Sequence, residues 1–231
     1  MRSLVMIPAL GCDGGLYADI LPRLASVVEP VTIVADKDTL TGCVQQVLER
    51  APEKFIILGT SFGGRTALEV AFAAPQRVEG LVVIGAGPGV AADPAAGMRR
   101  TERLRGTEFE SVVTEMADMV SHLPGPNGAK ARTAFISMAR KLGGAVMARQ
   151  SAALSQRADL WPRLGEISCP SLMLWGREDK FSPAADGLRM STALPHGRYA
   201  EISACGHFPS LEAPEETADI ILHWLQDSRF I

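Results

Sequence analysis

Apolar residues along this chain fall first into short unbroken runs and then into spaced patterns, and the alternation between the two is the strongest signal it carries. Leu4-Val5-Met6-Ile7, Val31-Thr32-Ile33-Val34, Phe55-Ile56-Ile57-Leu58 and Leu81-Val82-Val83-Ile84 are runs of strand length. Between them lie segments of helical spacing: Leu16, Ile20, Leu21, Leu24 and Val27, then Leu40, Val44, Val47, Leu48 and Ala51, then Arg65 to Ala73. Apolar runs of four predict strands buried on both faces, whereas spacings of three and four predict helices with one buried stripe. Pro22 marks a possible start within the first helical segment, Asp38 or Thr39 can cap the second, and Pro52 ends it. Gly64, Ala67 and Ala71 form a narrow stripe of small residues that lets the third helix lie close to a sheet.

The rhythm breaks after Ile84. From Gly85 to Gly165 no strand-like run occurs, and helical patterns replace it, the clearest at Phe109, Val112, Val113, Met116 and Val120 and at Ala131, Phe135, Met138 and Leu142. Alternation resumes with a strand at Ser171 to Trp175, a helix at about Ala184 to Leu194, a strand at Arg198 to Ile202 and a closing helix from Pro214. Strand–helix alternation predicts an α/β fold: a mostly parallel sheet with helices on both faces, and a helical cap inserted midway. The expected division is a core of residues 1–88 and 166–231 with a cap over residues 89–165.

Composition narrows the function without naming it. The chain has 231 residues, of which 47% are hydrophobic and 21% charged, as expected of a folded globular protein. A net charge of −3 argues against a nucleic-acid partner. No run approaches membrane-spanning length, and Met1 to Ile7 is too short for a signal peptide, so no membrane partner is expected. Cys12, Cys43, Cys169 and Cys205 form no C-x-x-C pair, which predicts no zinc site, no disulfide framework, and reduced thiols in a cytoplasm. No cofactor or metal is expected, and oligomeric state leaves no trace in the sequence. Charge is unevenly spread: residues 89–165 hold 11 Lys and Arg against 7 Asp and Glu, and the rest of the chain 12 against 19. A basic cap over an acidic body can attract carboxylate-bearing substrates or simply hold the cap in place.

Candidate chemistry centres on Gly59-Thr60-Ser61-Phe62-Gly63-Gly64, which follows a strand run and opens a helix. A serine at a sharp strand-to-helix turn needs glycine two positions away on each side, and Gly59 and Gly63 satisfy that. A glycine-rich turn holding a phosphate at a helix N-terminus is the competing reading. A serine nucleophile needs a base and a carboxylate to orient that base, both expected just after strands. His207 is the best candidate base, because His223 and His196 read as surface residues and His122 lies in the helical insertion. Asp179 follows the Ser171–Trp175 strand and competes with Glu178 and with Asp36. The chain order Ser61, Asp179, His207 favours Asp179.

These residues, together with Gly176-Arg177-Glu178-Asp179 and Pro183, Gly206-His207-Phe208-Pro209, and the opening Ile7-Pro8-Ala9-Leu10-Gly11-Cys12-Asp13, resemble the α/β-hydrolase superfamily in its cap-bearing group over nearly the full length. The resemblance implies a triad of Ser61, His207 and Asp179 and an oxyanion hole from the backbone N–H groups of Leu10 and Phe62. The opening loop departs from the family's usual His-Gly by reading Pro8-Ala9. The expected activity is cofactor-free hydrolysis of a small-molecule ester, lactone or related acyl substrate. Thioesterase, acyltransferase or carbon–carbon hydrolase chemistry of the same triad is the alternative, and a non-catalytic receptor on the same fold is another. Five of the nine methionines fall in the insertion, and Met116, Met119 and Met138 are the candidates to line a pocket beneath it.

Overall fold

The computed structural model describes residues 1–231. Six strands form one sheet, β1 (Arg2–Ile7), β2 (Val28–Thr32), β3 (Phe55–Thr60), β4 (Val78–Ile84), β5 (Ser171–Gly176) and β6 (Gly197–Ile202), in the spatial order β2-β1-β3-β4-β5-β6. Every neighbouring pair is parallel. β3 and β5 are buried at all six positions, which is why both read as continuous apolar runs. Helices cover both faces: α1 (Leu21–Leu24), α2 (Leu40–Arg50), α3 (Phe62–Ala73), α4 (Pro94–Arg105), α5 (Phe109–Val120), α6 (Gly128–Leu142), α7 (Gly144–Ser155), α8 (Ala184–Ala193), α9 (Pro209–Glu212) and α10 (Pro214–Asp227). The α/β class and the parallel sheet are therefore as the apolar pattern predicts. No helix is long and apolar enough to cross a membrane.

Two expectations fail near the N-terminus, both because of proline. The predicted helix over Leu16 to Val28 is instead a 3-10 turn at Gly14–Tyr17 and the single turn α1, which has Pro22 in its first turn. Proline lacks the N–H that would continue the helix backward, so the apolar residues Leu16, Ile20 and Leu24 reach the core from separate turns. The second strand begins at Val28, not Val31, and includes Pro30 opposite Leu4. β2 is the sheet edge, bonded to one neighbour only, where a missing N–H is tolerated.

The strand order reverses between β1 and β3, since the chain moves outward from β1 to β2 and then returns to β3. Ligand sites in open parallel sheets form at the carboxyl ends of strands at such a reversal. Tyr17 ties the two strands together there, donating from its hydroxyl to Ile7 O at 2.7 Å, with Thr60 Oγ1 3.0 Å away. Its burial pushes the phenol pKa up, so the group stays a neutral donor. Helix α3 leaves β3 at this point and lies so close to the sheet that a Cβ at Gly64 would sit 2.8 Å from Ala86 Cβ.

Four helices, α4 to α7, and a 3-10 turn at Trp161–Glu166 lie between β4 and β5. Arg103 of α4 pairs with Glu108 and with Glu115 of α5, while Arg132 and Arg140 of α6 pair with Asp118 and Glu110 of α5. Three further pairs cross to the acidic part of the chain: Lys130–Asp19, Lys141–Asp13 and Arg149–Asp36. Exposed pairs of this kind contribute only ~0–1 kcal/mol each, so they register the helices against the sheet more than they stabilise it.

The closest approach in the fold is backbone on backbone. A Cβ at Gly63 would fall 1.9 Å from Ile7 O, and one at Gly59 would fall 2.1 Å from Gly63 O. Ile7 O belongs to β1 and Gly63 O to the first turn of α3, and neither can move without disturbing its element. Gly59→Ala and Gly63→Ala are each expected to cost more than about 3 kcal/mol or to abolish folding. Gly165→Ala, where nothing lies within 4 Å, should be neutral. Urea unfolding of the three variants beside the parent protein checks this ordering.

Candidate active site

Ser61 sits between β3 and α3 with φ 56° and ψ −115°, a left-handed conformation for a non-glycine residue. It is held there by its N–H, which donates to Ile84 O at 2.7 Å, and by its carbonyl, which accepts from the Arg65 N–H at 2.9 Å. Strain of this sort costs about 1–3 kcal/mol and persists only where the surroundings fix it. Here the two glycine approaches do so, and they turn the serine side chain out at the carboxyl end of the sheet.

His207 and Asp179 arrive from two other strand ends. Asp179 follows β5 in a tight turn: its Oδ1 accepts the N–H groups of Phe181 and Ser182 at 2.8 and 2.9 Å. Ser182 O in turn accepts the indole N–H of Trp175 in β5 at 3.0 Å. Oδ2 faces His207 Nδ1 at 2.6 Å, with both side chains 1% exposed. Because a carboxylate only accepts, Nδ1 is the protonated nitrogen, and in the neutral imidazole Nε2 then carries the lone pair. Nε2 is buried and bonded to no protein atom. Phe181 and Phe208 lie 5.0 and 5.3 Å from the imidazole, ring centre to ring centre, and keep water from its sides. Gly85 follows β4 at φ +60°, and a Cβ there would sit 3.1 Å from the imidazole, so this glycine leaves the space the histidine–aspartate pair occupies.

The competing carboxylates have other partners. Glu178 Oε2 accepts the Cys205 N–H at 2.9 Å and so holds the histidine loop, while Asp36 bonds the Gln46 side chain and pairs with Arg149. Of the other histidines, His196 and His223 are exposed and His122 is half-buried. Cys12, Cys43 and Cys205 are buried and unpaired, and burial raises the pKa of each thiol; Cys43 is pushed up to about 11. Met116 lines a cavity with Ser61, His207 and Leu10. Met119 does not: it lies off the buried stripe of α5 and is 48% exposed. Met138 is buried, but its sulfur faces the Gly15 turn, 3.3 Å from where a Cβ of that glycine would be, and it lines no cavity beside Ser61. Helical spacing identified the buried face at 116 and 138 but could not say what that face meets.

Leu10 is 4% exposed in the loop after β1, and its N–H donates to no protein acceptor. Phe62 opens α3, so its N–H is one of those a helix leaves free. The Leu10 loop is fixed by Gln150 of α7, which is 1% exposed. Its Oε1 accepts the Gly11 N–H at 3.0 Å and its Nε2 donates to Ala35 O at 2.8 Å. Sequence reasoning missed this residue, for no local signal marks one polar side chain among many on a helix.

Glu212 was also missed. It is 2% exposed, and its carboxylate accepts the N–H groups of His122, Gly206 and Phe208 at 2.9, 2.9 and 3.2 Å. An acid in the first turn of a helix after a proline reads as an ordinary terminal charge. Its three acceptor bonds come from loops that meet only in the fold.

Two cavities share Ser61, Leu154 and Phe181 as walls. One, of about 290 Å³, extends past Arg65, Arg157 and Trp161. The other, of about 10 Å³, reaches Leu10, Met116, Phe135 and His207 and has room for one water.

Residues 5–220 match the alpha/beta hydrolase family, and the chain belongs to it. It is 31% identical, over 75% of its length, to a 2-hydroxy-6-oxononadienedioate/2-hydroxy-6-oxononatrienedioate hydrolase of Paraburkholderia xenovorans, of which it spans 62%. It is 27% identical to a pimeloyl-[acyl-carrier protein] methyl ester esterase of Edwardsiella ictaluri, over 93% of this chain and 89% of that one. A thermophilic esterase from Thermogutta terrifontis shares the fold at TM-score 0.89 and 19% identity, over 99% of this chain and 90% of that one.

Glu212→Gln keeps the shape of the side chain but replaces one acceptor oxygen by an amide NH2 that faces backbone N–H donors, and it is expected to cost about 1–3 kcal/mol. Glu216→Gln, an exposed change in the following helix, should cost less than about 1 kcal/mol. Denaturant titration of both variants separates a brace of the histidine loop from a helix-end charge.

Proposed function

We propose that the protein is a serine hydrolase that cleaves a small-molecule carboxylic ester or lactone through Ser61, His207 and Asp179. The observation that carries this reading is the buried His207–Asp179 bond, with Nε2 unpartnered and the histidine lining one cavity with a strained serine. In the proposed cycle His207 Nε2 takes the Ser61 proton as Oγ attacks the carbonyl carbon. The Leu10 and Phe62 N–H groups receive the oxyanion, and Asp179 stabilises the imidazolium. The imidazolium then protonates the departing alkoxide, leaving an acyl-enzyme. Water, deprotonated by the same nitrogen, attacks the acyl carbon and releases the acid and Ser61. Residues 89–165 act as a lid, because α5 and α7 supply Met116, Val120 and Leu154 to the cavity walls. Similarity to the Paraburkholderia hydrolase supports a second reading, carbon–carbon bond hydrolysis of an oxo-acid by the same three side chains.

The test is the intact mass of the protein after treatment with an active-serine phosphonylating reagent, followed by peptide mapping. One adduct on Ser61, strongly slowed in His207→Ala, is the expected result. No adduct on folded parent protein overturns the hydrolase reading and leaves a ligand-binding role for the cavity. With an activated ester, Ser61→Ala and His207→Ala should each lower kcat by about a millionfold and Asp179→Asn by about ten-thousandfold.

A further inference from the structure

The charge imbalance of residues 89–165 is almost wholly absorbed by pairing. Of their eleven basic side chains, eight reach a carboxylate: Arg99, Arg103, Lys130, Arg132, Arg140, Lys141, Arg149 and Arg163. Three do not. Arg105 is exposed to water. Arg157 donates from Nε, Nη1 and Nη2 to the carbonyls of Gly89, Leu154 and Val90. Arg100 alone is half-buried, with Nη1 and Nη2 donating to no protein acceptor, and it lines the small cavity with Ser61 and His207.

Arg100 is held in place despite having no acid. Its Nε donates at 3.0 Å to Ser151 Oγ, a fully buried hydroxyl that also lies 2.9 Å from Thr101 Oγ1 and bonds Gly97 O. The latch fixes the inner edge of the guanidinium and leaves both outer nitrogens unbonded. Burial lowers its pKa, and no neighbouring carboxylate raises it. A guanidinium remains charged regardless, so the wall of the cavity carries an unpaired cation. Its outer nitrogens are still reached by solvent, so water answers the charge in the free protein, and a carboxylate that takes the place of that water gains a charge-assisted pair. The two free nitrogens present the planar fork that a carboxylate accepts in bidentate fashion.

Building on the hydrolase reading, we propose that Arg100 binds a free carboxylate carried by the substrate, so that the preferred substrates are short esters or lactones bearing that group near the reacting carbonyl. The small cavity beside Ser61 holds one water as it stands and must widen to admit a carboxylate against Arg100, which favours a compact anion on a short chain, while the larger cavity takes the other half of the molecule.

The experiment compares kcat/KM for two matched pairs. In the first the charge is on the acyl half: 4-nitrophenyl hydrogen glutarate against its methyl ester. In the second it is on the alcohol half: 4-(butanoyloxy)butanoate against its methyl ester. In at least one pair the parent protein should prefer the anion about 10- to 100-fold, the span expected for a charged hydrogen bond. Arg100→Gln should remove that preference while changing the neutral ester less than about threefold, and Arg100→Lys should recover part of it. Arg99→Gln, an exposed neighbour, should leave it intact.

Glutarate alone should raise the melting temperature of the parent protein and not that of Arg100→Gln, a readout independent of catalysis. Ser151→Ala, which removes the latch and keeps the charge, should weaken both effects in part. Neutral and anionic esters cleaved alike, with no glutarate shift, would overturn the carboxylate proposal and leave the hydrolase reading standing. Absence of any ester cleavage or Ser61 adduct, with the glutarate shift intact and lost in Arg100→Gln, would do the reverse.

Discussion

The approach of two backbones at the end of β1 is the constraint on which the rest of the structure depends. Gly63 lies against Ile7 O, and Gly59 lies against Gly63 O, at distances no side chain permits. That contact sets how close α3 lies to the sheet and forces the positive φ of Ser61. It also brings the loop after β1, with Leu10, to the amino end of α3, with Phe62. Tyr17 reinforces the junction by donating to the same Ile7 carbonyl. Ser61 thus lines one cavity with Leu10 and another with Phe62, where a strand, a turn and a helix meet.

The remaining loops reach that volume through buried polar braces. Asp179 uses one oxygen to close its own turn and the other to hold the His207 imidazole. Glu178 and Glu212 hold the backbone on either side of His207, and Gln150 spans from the insertion to the loops after β1 and β2. Asp179, Glu212 and Gln150 are nearly free of water and Glu178 is half-buried, and in such surroundings a hydrogen bond is strong and a broken one expensive. The bracing is shared between the sheet and the helices above it.

Charge follows the same division of labour. Most basic side chains of the insertion are matched by acids on its own helices or on the sheet side, which seats the helices over the strand ends. Arg100, which no acid matches, lines a cavity with Ser61 and His207.

The sequence by itself determined the sheet, because runs such as Phe55–Leu58 and Leu81–Ile84 are stable only when buried on both faces, and it located Ser61 because only glycine tolerates the turn around it. It also set Asp179 and His207 just after strands, the places that a parallel sheet gathers at one edge. It misplaced β2 and the helix after Gly15, since the effect of Pro22 and Pro30 depends on whether a neighbouring strand or turn needs the missing N–H. Helical spacing put Met116 on a buried face but could not tell a cavity wall from the packing of Met138 or the exposed flank at Met119. Glu212, Gln150 and Arg100 were illegible for a common reason. Each is an ordinary polar residue on a helix, and only the tertiary structure decided which of them bonds distant backbone and which is left facing a cavity. Local pattern records burial, whereas the partner of a buried polar group is set by chain segments as many as 139 residues away.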